Sequence, residues 1–377
     1  MPGPEVVVIG GGMIGAAVTY RLVERGLRPT LVDAGEPGRG TSASSFAWLN
    51  SASKEPRPYH DLNVAGMAEH AALAREFPAA PWYHPSGGLR WATTEAGHEE
   101  LRRHAAHLHA WDYPVESLDP AQVTRELEPG LALDPVAVRE VWFTPGEGWV
   151  DAPILIAALL DAARQRGGAI RAHTTVTGIE STGGRVAGVH LTGGASLAAD
   201  AVVVAAGPRS AEVAALAGVE LPVERVPGLL AVSAPVTPPL RHVCHAPDVA
   251  FRPDPSGGLV LGHAETLDRT ITADTPLEPP PPACAELLAR AAPYVPAVAR
   301  AGLAPRGAAR IGVRPIPADG VSIAGQVPAR PGLYVAVTHS GVTLGPLLGR
   351  LVAEELATGR PPAQLAPFRP DRFSGLR

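Results

Sequence analysis

The β-branched run Val6–Ile9 and the glycines behind it, Gly10, Gly11, Gly12 and Gly15, restrict what this chain can fold into more than any other stretch. Ile14, Ala17, Val18 and Leu22 follow at helical spacing, so the segment reads as strand, tight turn and helix. Gly10 permits the turn, Gly12 lets backbone approach a pyrophosphate, and Gly15 lets helix and strand pack closely. Met13 and Ile14 open the helix, whose N-terminus faces phosphate charge. Gly26 ends it. A second apolar strand, Pro29–Val32, then delivers Asp33 and Ala34, with the acid about twenty residues beyond the glycines, where a carboxylate accepts both ribose hydroxyls and repels an added phosphate. A glycine-rich turn alone can be purely structural. Strand, glycines, helix, second strand and terminal acid in this order point to a dinucleotide.

Composition removes other classes. The 377 residues make roughly two domains at about 150 residues each, and 46% hydrophobic with 18% charged residues excludes a disordered chain. Lys plus Arg number 32 against 37 acids, a net charge of −5, so neither nucleic acid nor an anionic membrane is an expected partner. Cys244 and Cys284 are too few for a disulfide framework and lack zinc spacing, which suits a reducing cytoplasm. No metal is expected: His104, His107 and His109 lie on a predicted helix, Glu95–Trp111, without a carboxylate to complete a ligand set. The apolar stretch Val6–Val18 has no basic residue before it and is broken by glycines, unlike a signal peptide or a spanning helix.

After Asp33, a nicotinamide enzyme would continue with short βα units. Here Gly35–Asn50 reads GEPGRGTSASSFAWLN, small and polar, without strand periodicity. In this it resembles the D-amino-acid oxidase, glycine oxidase and sarcosine oxidase superfamily, in which such a stretch runs beside the pyrophosphate and flavin of FAD. The resemblance implies that Thr41, Ser42, Ser44 and Ser45 contact FAD; a solvated surface loop is the other reading of the same residues.

The rest of the chain fits that order. Tyr59–Phe77 reads as a helix, GGLRWATT as a strand, and a second domain begins near Pro81. Asp151 caps an apolar helix with Pro153 in its first turn. Three short strands span about Ile170–Leu197, separated by Gly183-Gly184 and Gly193-Gly194, and ADAVVVAAGP follows as a buried strand. The resemblance makes Val176 the backbone contact to adenine, and places Ala206 and Gly207 beside the cofactor. Residues Pro222 to about Pro305 are strand-rich and proline-punctuated, with Phe251 and Val260 on two strands joined near Ser256–Gly258. The implied fold is α/β: a Rossmann-like FAD domain of the glutathione reductase type (1–80, 147–221 and 309–377), interleaved with an α+β substrate domain on an antiparallel sheet (81–146 and 222–308).

RIGVRPIPADGVSIAG at Arg310–Gly325 precedes a buried strand, a glycine turn and a helix with Leu344, Leu347, Leu348, Leu351 and Leu356 on one face. In the superfamily this segment carries GxRP and a glycine loop whose helix amides face the flavin, at Gly341, Val342, Thr343 and Leu344 here. The implied chemistry is oxidation of an amine or amino acid to an imine, with dioxygen or another acceptor reoxidising non-covalent FAD. Oxidation of a 2-hydroxy acid, and a flavin-bearing subunit of a hetero-oligomer, remain alternatives. Arg314 is the expected carboxylate anchor, or else a structural partner of an acid such as Asp319. His339 faces the flavin or caps the turn. Lys54, the chain's one lysine, assists dioxygen or is a solvated turn residue.

Departures from the family pattern are specific. The lysine that sarcosine oxidases place over the flavin falls at Val260, and the loop at Gly341 is about two residues short. Ala250 replaces a tyrosine of some glycine oxidases, which predicts a roomier pocket. Gly312 lies where sarcosine oxidase has its flavin-linking cysteine, so covalent attachment is not expected. The sequence leaves monomer and homodimer open.

Overall fold

The computed structural model describes residues 3–77, 79–278 and 280–373. Its first sheet grows from the strands that flank the glycines. Glu5–Ile9 pairs in parallel with Arg28–Val32 on one side and Ala201–Val204 on the other. Ala169–Arg171 extends the sheet past Arg28–Val32, Leu333–Val337 extends it past Ala201–Val204, and Ile323–Gln326 closes that edge antiparallel. Val202, Val203 and Val204 are wholly buried, as a parallel strand covered on both faces requires.

The two ends of the chain meet on one face of this sheet. Helix Met13–Glu24 crosses helix Gly341–Thr358 so closely that a Cβ on Gly349 would stand 2.6 Å from Ala17, and one on Gly345 would stand 2.3 Å from Met13 Cγ. Leu344, Leu347, Leu348 and Leu351 are the buried stripe of the second helix, with Leu356 partly exposed. Helix Ala152–Gln165 packs on the first, its N-terminus capped by Asp151, whose carboxylate accepts from Ile154 N at 3.3 Å.

Residues 169–198 form four strands rather than three. Ile170 pairs with Leu31 in the first sheet, while Val176–Thr182, Arg185–Leu191 and Ser196–Ala198 make a separate meander. Gly183 and Gly184 adopt φ of +59° and +81°, the left-handed pair that a two-residue hairpin turn needs.

The second sheet has eight strands in the order Ala309–Pro317, Val223–Val232, Leu259–Gly262, Val249–Pro253, Val243–Ala246, Gly88–Trp91, Val141–Thr144 and Glu116–Leu118. All neighbours are antiparallel except Val243–Ala246 with Gly88–Trp91. The sequence groups residue 309 onward with the carboxy-terminal return. Instead Ala309–Pro317 pairs along its whole length with Val223–Val232, so the chain leaves the second sheet only after Pro317. Among the described residues, no helix is long and apolar enough to cross a membrane.

Candidate active site

A cavity of about 1300 Å³ runs between the two sheets. One end is built by the amino-terminal turn. Gly10 takes φ of +107°, and a Cβ on Gly15 would stand 1.8 Å from Gly10 O, so strand and helix meet without side chains between them. A Cβ on Gly12 would face only Ser42 Oγ, and one on Gly207 would meet nothing within 4 Å. These bare edges open on the cavity beside Met13, Ile14, Ala34, Val176 and Ala206. Gly15 does not line it; its work is the packing behind the turn. The Asp33 carboxylate is fixed at the strand end, with Oδ2 accepting from Gly11 N at 2.6 Å and Oδ1 from Gly35 N at 2.7 Å. A side-chain-free cradle, a helix N-terminus and an acid with lone pairs to spare suit a dinucleotide such as FAD.

The serine-rich loop is pinned against protein on both sides. Ser42 Oγ accepts from Met13 N at 3.1 Å, Thr41 Oγ1 donates to Val313 O at 2.8 Å, and Ser45 Oγ accepts from Ala47 N at 2.9 Å. A Cβ on Gly312 would come 2.6 Å from Ser44 O, so the loop lies directly on the edge strand of the second sheet. All four hydroxyl residues line the cavity.

Opposite stands the start of helix Gly341–Thr358. No side chain caps it, and Leu344 N, bonded to Ser340 O at 2.9 Å, is its first amide with an acceptor on the preceding turn. Gly341, Val342 and Thr343 therefore bring the positive end of a helix to the cavity they line. Leu344 does not belong with them: its side chain is buried against Gly66, and it serves the core. Tyr59 OH donates to Ser340 Oγ at 2.9 Å, Thr343 Oγ1 to Trp48 O at 3.1 Å, and His70 Nε2 to Val342 O at 2.8 Å. Burial pushes His70 down to about 4, so it holds this bond as a neutral ring.

The remaining wall is cationic. Arg314 Nη2 donates to Pro227 O at 2.9 Å and to Asp268 Oδ2 at 3.1 Å, while Asp268 Oδ1 accepts from Leu229 N at 2.9 Å. Asp319 pairs with Arg372 at 2.7 Å, so the acid that orients Arg314 is Asp268. Nη1 of Arg314 has no hydrogen-bond partner among the described residues. His339 lines the cavity and makes no bond that closes the turn; burial, with Lys54 and Arg314 adding to it, pushes its pKa down to about 4. Lys54 also lines the cavity. Burial pushes its ammonium down to about 8 against the opposing pull of Glu147.

Several residues here escaped the sequence reading. Phe46, Trp48, Arg90, His245 and His263 share this wall, with ring centroids 4.6 Å apart for Phe46–His263 and 4.0 Å for Trp48–His245. His263 holds a left-handed φ of +59°, a strained conformation for a non-glycine residue. Burial, and the charges of Lys54, Arg314 and Arg90, push it down to about 3. Val260 and Ala250 lie off the cavity wall, in an apolar cluster with Phe46, Trp149, Leu230 and Val243. Ala250 therefore does not touch the cavity, whereas Phe46 of the same cluster does. One usable signal was present: Arg90 stands between buried Leu89 and Trp91 on its strand, which turns it to the other face of the sheet.

Residues 5–355 match the family described as FAD dependent oxidoreductase, DAO. A glycine oxidase of Geobacillus kaustophilus is 33% identical over 385 residues, covering 98% of this chain and 97% of the relative. The crystal structure of glycine oxidase from that organism superposes with a TM-score of 0.85 at 30% identity, covering 98% and 99% of the two chains. One of the subunits of an opine oxidase from Agrobacterium tumefaciens is 26% identical over 98% of this chain and 97% of its own. The chain belongs to the DAO family of FAD-dependent oxidoreductases, and FAD is its cofactor.

Proposed function

We propose that this protein oxidises the C–N bond of an amine or amino acid, with FAD held non-covalently by the glycine turn, Asp33, the serine-rich loop, Val176, Gly207 and the amides at 341–343. Bound FAD would supply the two-electron acceptor. The substrate loses a hydrogen with two electrons from the carbon beside a neutral amine, giving a protonated imine, which water hydrolyses to a carbonyl compound and a free amine or ammonium. Arg314 holds the substrate carboxylate through its free Nη1, its plane set by Asp268 and Pro227 O. This oriented guanidinium at the cavity wall is the observation that carries the reading. His339, kept neutral, packs the reacting end without adding charge, and Lys54 stands ready to stabilise negative charge on dioxygen.

The same reading proposes residues 1–80, 147–221 and 309–377 as the FAD domain and 81–146 with 222–308 as the substrate domain, with strand Ala309–Pro317 lying in the substrate sheet. The relatives named as a glycine oxidase and as part of an opine oxidase favour an amine over a hydroxy acid. The second of these also favours a flavin-bearing chain working with a partner. The test is anaerobic mixing of FAD-loaded protein with small amines and 2-hydroxy acids while flavin absorbance is followed. Bleaching by an amine is expected; bleaching by hydroxy acids alone overturns the proposal.

A further inference from the structure

Arg90 is a charged group that the reaction above does not use. It lies on strand Gly88–Trp91 directly opposite His245, so both side chains leave the same face of the sheet and open on the cavity. Its guanidinium makes no hydrogen bond and no ion pair among the described residues; Cζ lies over the Trp48 ring, 5.9 Å from its centroid, and this is the one ring contact it makes among them. Glu147, the first of the acids that act on it electrostatically, has its oxygens engaged by Trp48 Nε1, Ser51 N, Ala52 N, Tyr113 OH and Thr144 Oγ1. A carboxylate offers about four lone-pair sites, so Glu147 has none left for Arg90. Beside Arg90, the buried Nε2 of His245 also lacks a partner. His263 shares the same wall, its ring centroid 6.0 Å from that of His245.

An arginine enclosed without hydrogen bonds is costly, and the cost is recovered only when an anion arrives. We propose that Arg90, with His245 Nε2 beside it, is a second anion subsite, and that the substrate is an amine carrying two carboxylates, one held by Arg314 and one by Arg90. This rests on the amine-oxidation reading above and narrows it. The substrate carboxylate at Arg314 places the reacting carbon. The second carboxylate, on the other arm of the nitrogen, fixes that arm along the wall of Phe46, Trp48 and His263. Five strand intervals of about 4.8 Å, roughly 24 Å in all, separate the two strands that carry the arginines, so the arm that reaches Arg90 is a long chain.

The test uses FAD-loaded protein and needs no turnover. Sulfur analogues that cannot be oxidised as amines, (methylthio)acetate and the dicarboxylates HOOC–CH₂–S–(CH₂)n–COOH, are titrated while the flavin spectrum is read. At least one dicarboxylate should bind about tenfold or more tightly than the monocarboxylate, as one charge-assisted pair warrants. Arg90→Met should collapse that ratio towards one, and Arg90→Lys should restore part of it. Equal affinities in the wild-type protein overturn the second subsite, as does an Arg90→Met ratio equal to the wild type's. If Arg90→Met does not fold, the wild-type ratio decides. Failure of every amine to reduce the flavin, with the binding ratio intact, instead removes the amine-oxidation reading.

Discussion

Gly349→Ala tests the crossing of the first and last helices, on which the cavity depends. The added Cβ would stand 2.6 Å from both C and Cβ of Ala17 and 2.9 Å from Val18 N. None of these atoms can rotate away, so the helices must part by about 1 Å to reach a normal contact. Overpacking of this kind costs about 1–3 kcal/mol, and the upper end applies because backbone is struck. Alanine recovers about 1 kcal/mol of helix preference over glycine, which leaves a net loss of about 2 kcal/mol. In a chain of this size that lowers Tm by roughly 2–3 °C. Both helices also present their N-termini to the cavity, so FAD should be released earlier in the same transition. Thermal unfolding followed by flavin fluorescence measures both effects. The control is Gly146→Ala, where a Cβ meets nothing within 4 Å and a change within about 0.5 kcal/mol is expected. A Tm for Gly349→Ala at or above the wild-type value would mean that the two helices do not approach through that glycine.

Three further outcomes follow from single groups. Arg314→Ala should raise KM for a carboxylate substrate about 30-fold, or about 2 kcal/mol, with FAD still bound; the low end of the range for a charged pair applies because Arg314 is about a third exposed. An unchanged KM in steady-state kinetics removes it from the site. Lys54→Met should slow reoxidation by dioxygen while sparing anaerobic reduction, and wild-type reoxidation should fall as pH rises through about 8, where the ammonium is lost. Stopped-flow rates without that limb, or slowed equally in both half-reactions, contradict the role. His70 is held near 4 when folded, against about 6.5 when unfolded, so the unfolded chain takes the proton first. The stability it contributes is complete above pH 6.5 and is lost as pH falls to 4, up to about 3 kcal/mol; urea unfolding of His70→Gln should lack that limb.

The nucleotide end of the site was readable in the sequence because its requirements are local. Gly10, Gly12, Gly15 and Asp33 act through backbone geometry within one βαβ unit, and the glycine and acid spacing records it. The apolar stripe of the last helix was readable for the same reason, although its docking on Met13–Glu24 through Gly345 and Gly349 depends on glycines that no period marks. The substrate end was only half legible. Arg314 came from a motif, whereas Asp268, its partner across 46 positions, lies on a short helical turn with no signature. Arg90, His245 and His263 come together only through strand order, with Gly88–Trp91 inserted in parallel beside Val243–Ala246. The edge strand Ala309–Pro317 supplies residues to the cavity wall while its hydrogen bonds belong to the second sheet, a division no local pattern records.

The two ends of the cavity handle negative charge by different means, and this decides how the protein responds to pH. At the nucleotide end the donors are backbone amides and helix termini, which do not titrate. At the other end the cations on the wall are the guanidinium groups of Arg314 and Arg90. The histidines of the same cavity are already neutral: burial and the neighbouring cations hold His339 near 4 and His263 near 3, and push His245 down as well. Protonating any of them would add a cation beside fixed cations in a poorly solvated wall, which is why they cannot buffer the site. Around neutral pH these histidines therefore add no charge to the wall. The group left to change is Lys54, at about 8. On the proposed function, a rise in pH should therefore spare substrate binding at the arginines while it withdraws the Lys54 charge proposed to assist dioxygen, so binding and reoxidation should separate on the pH axis.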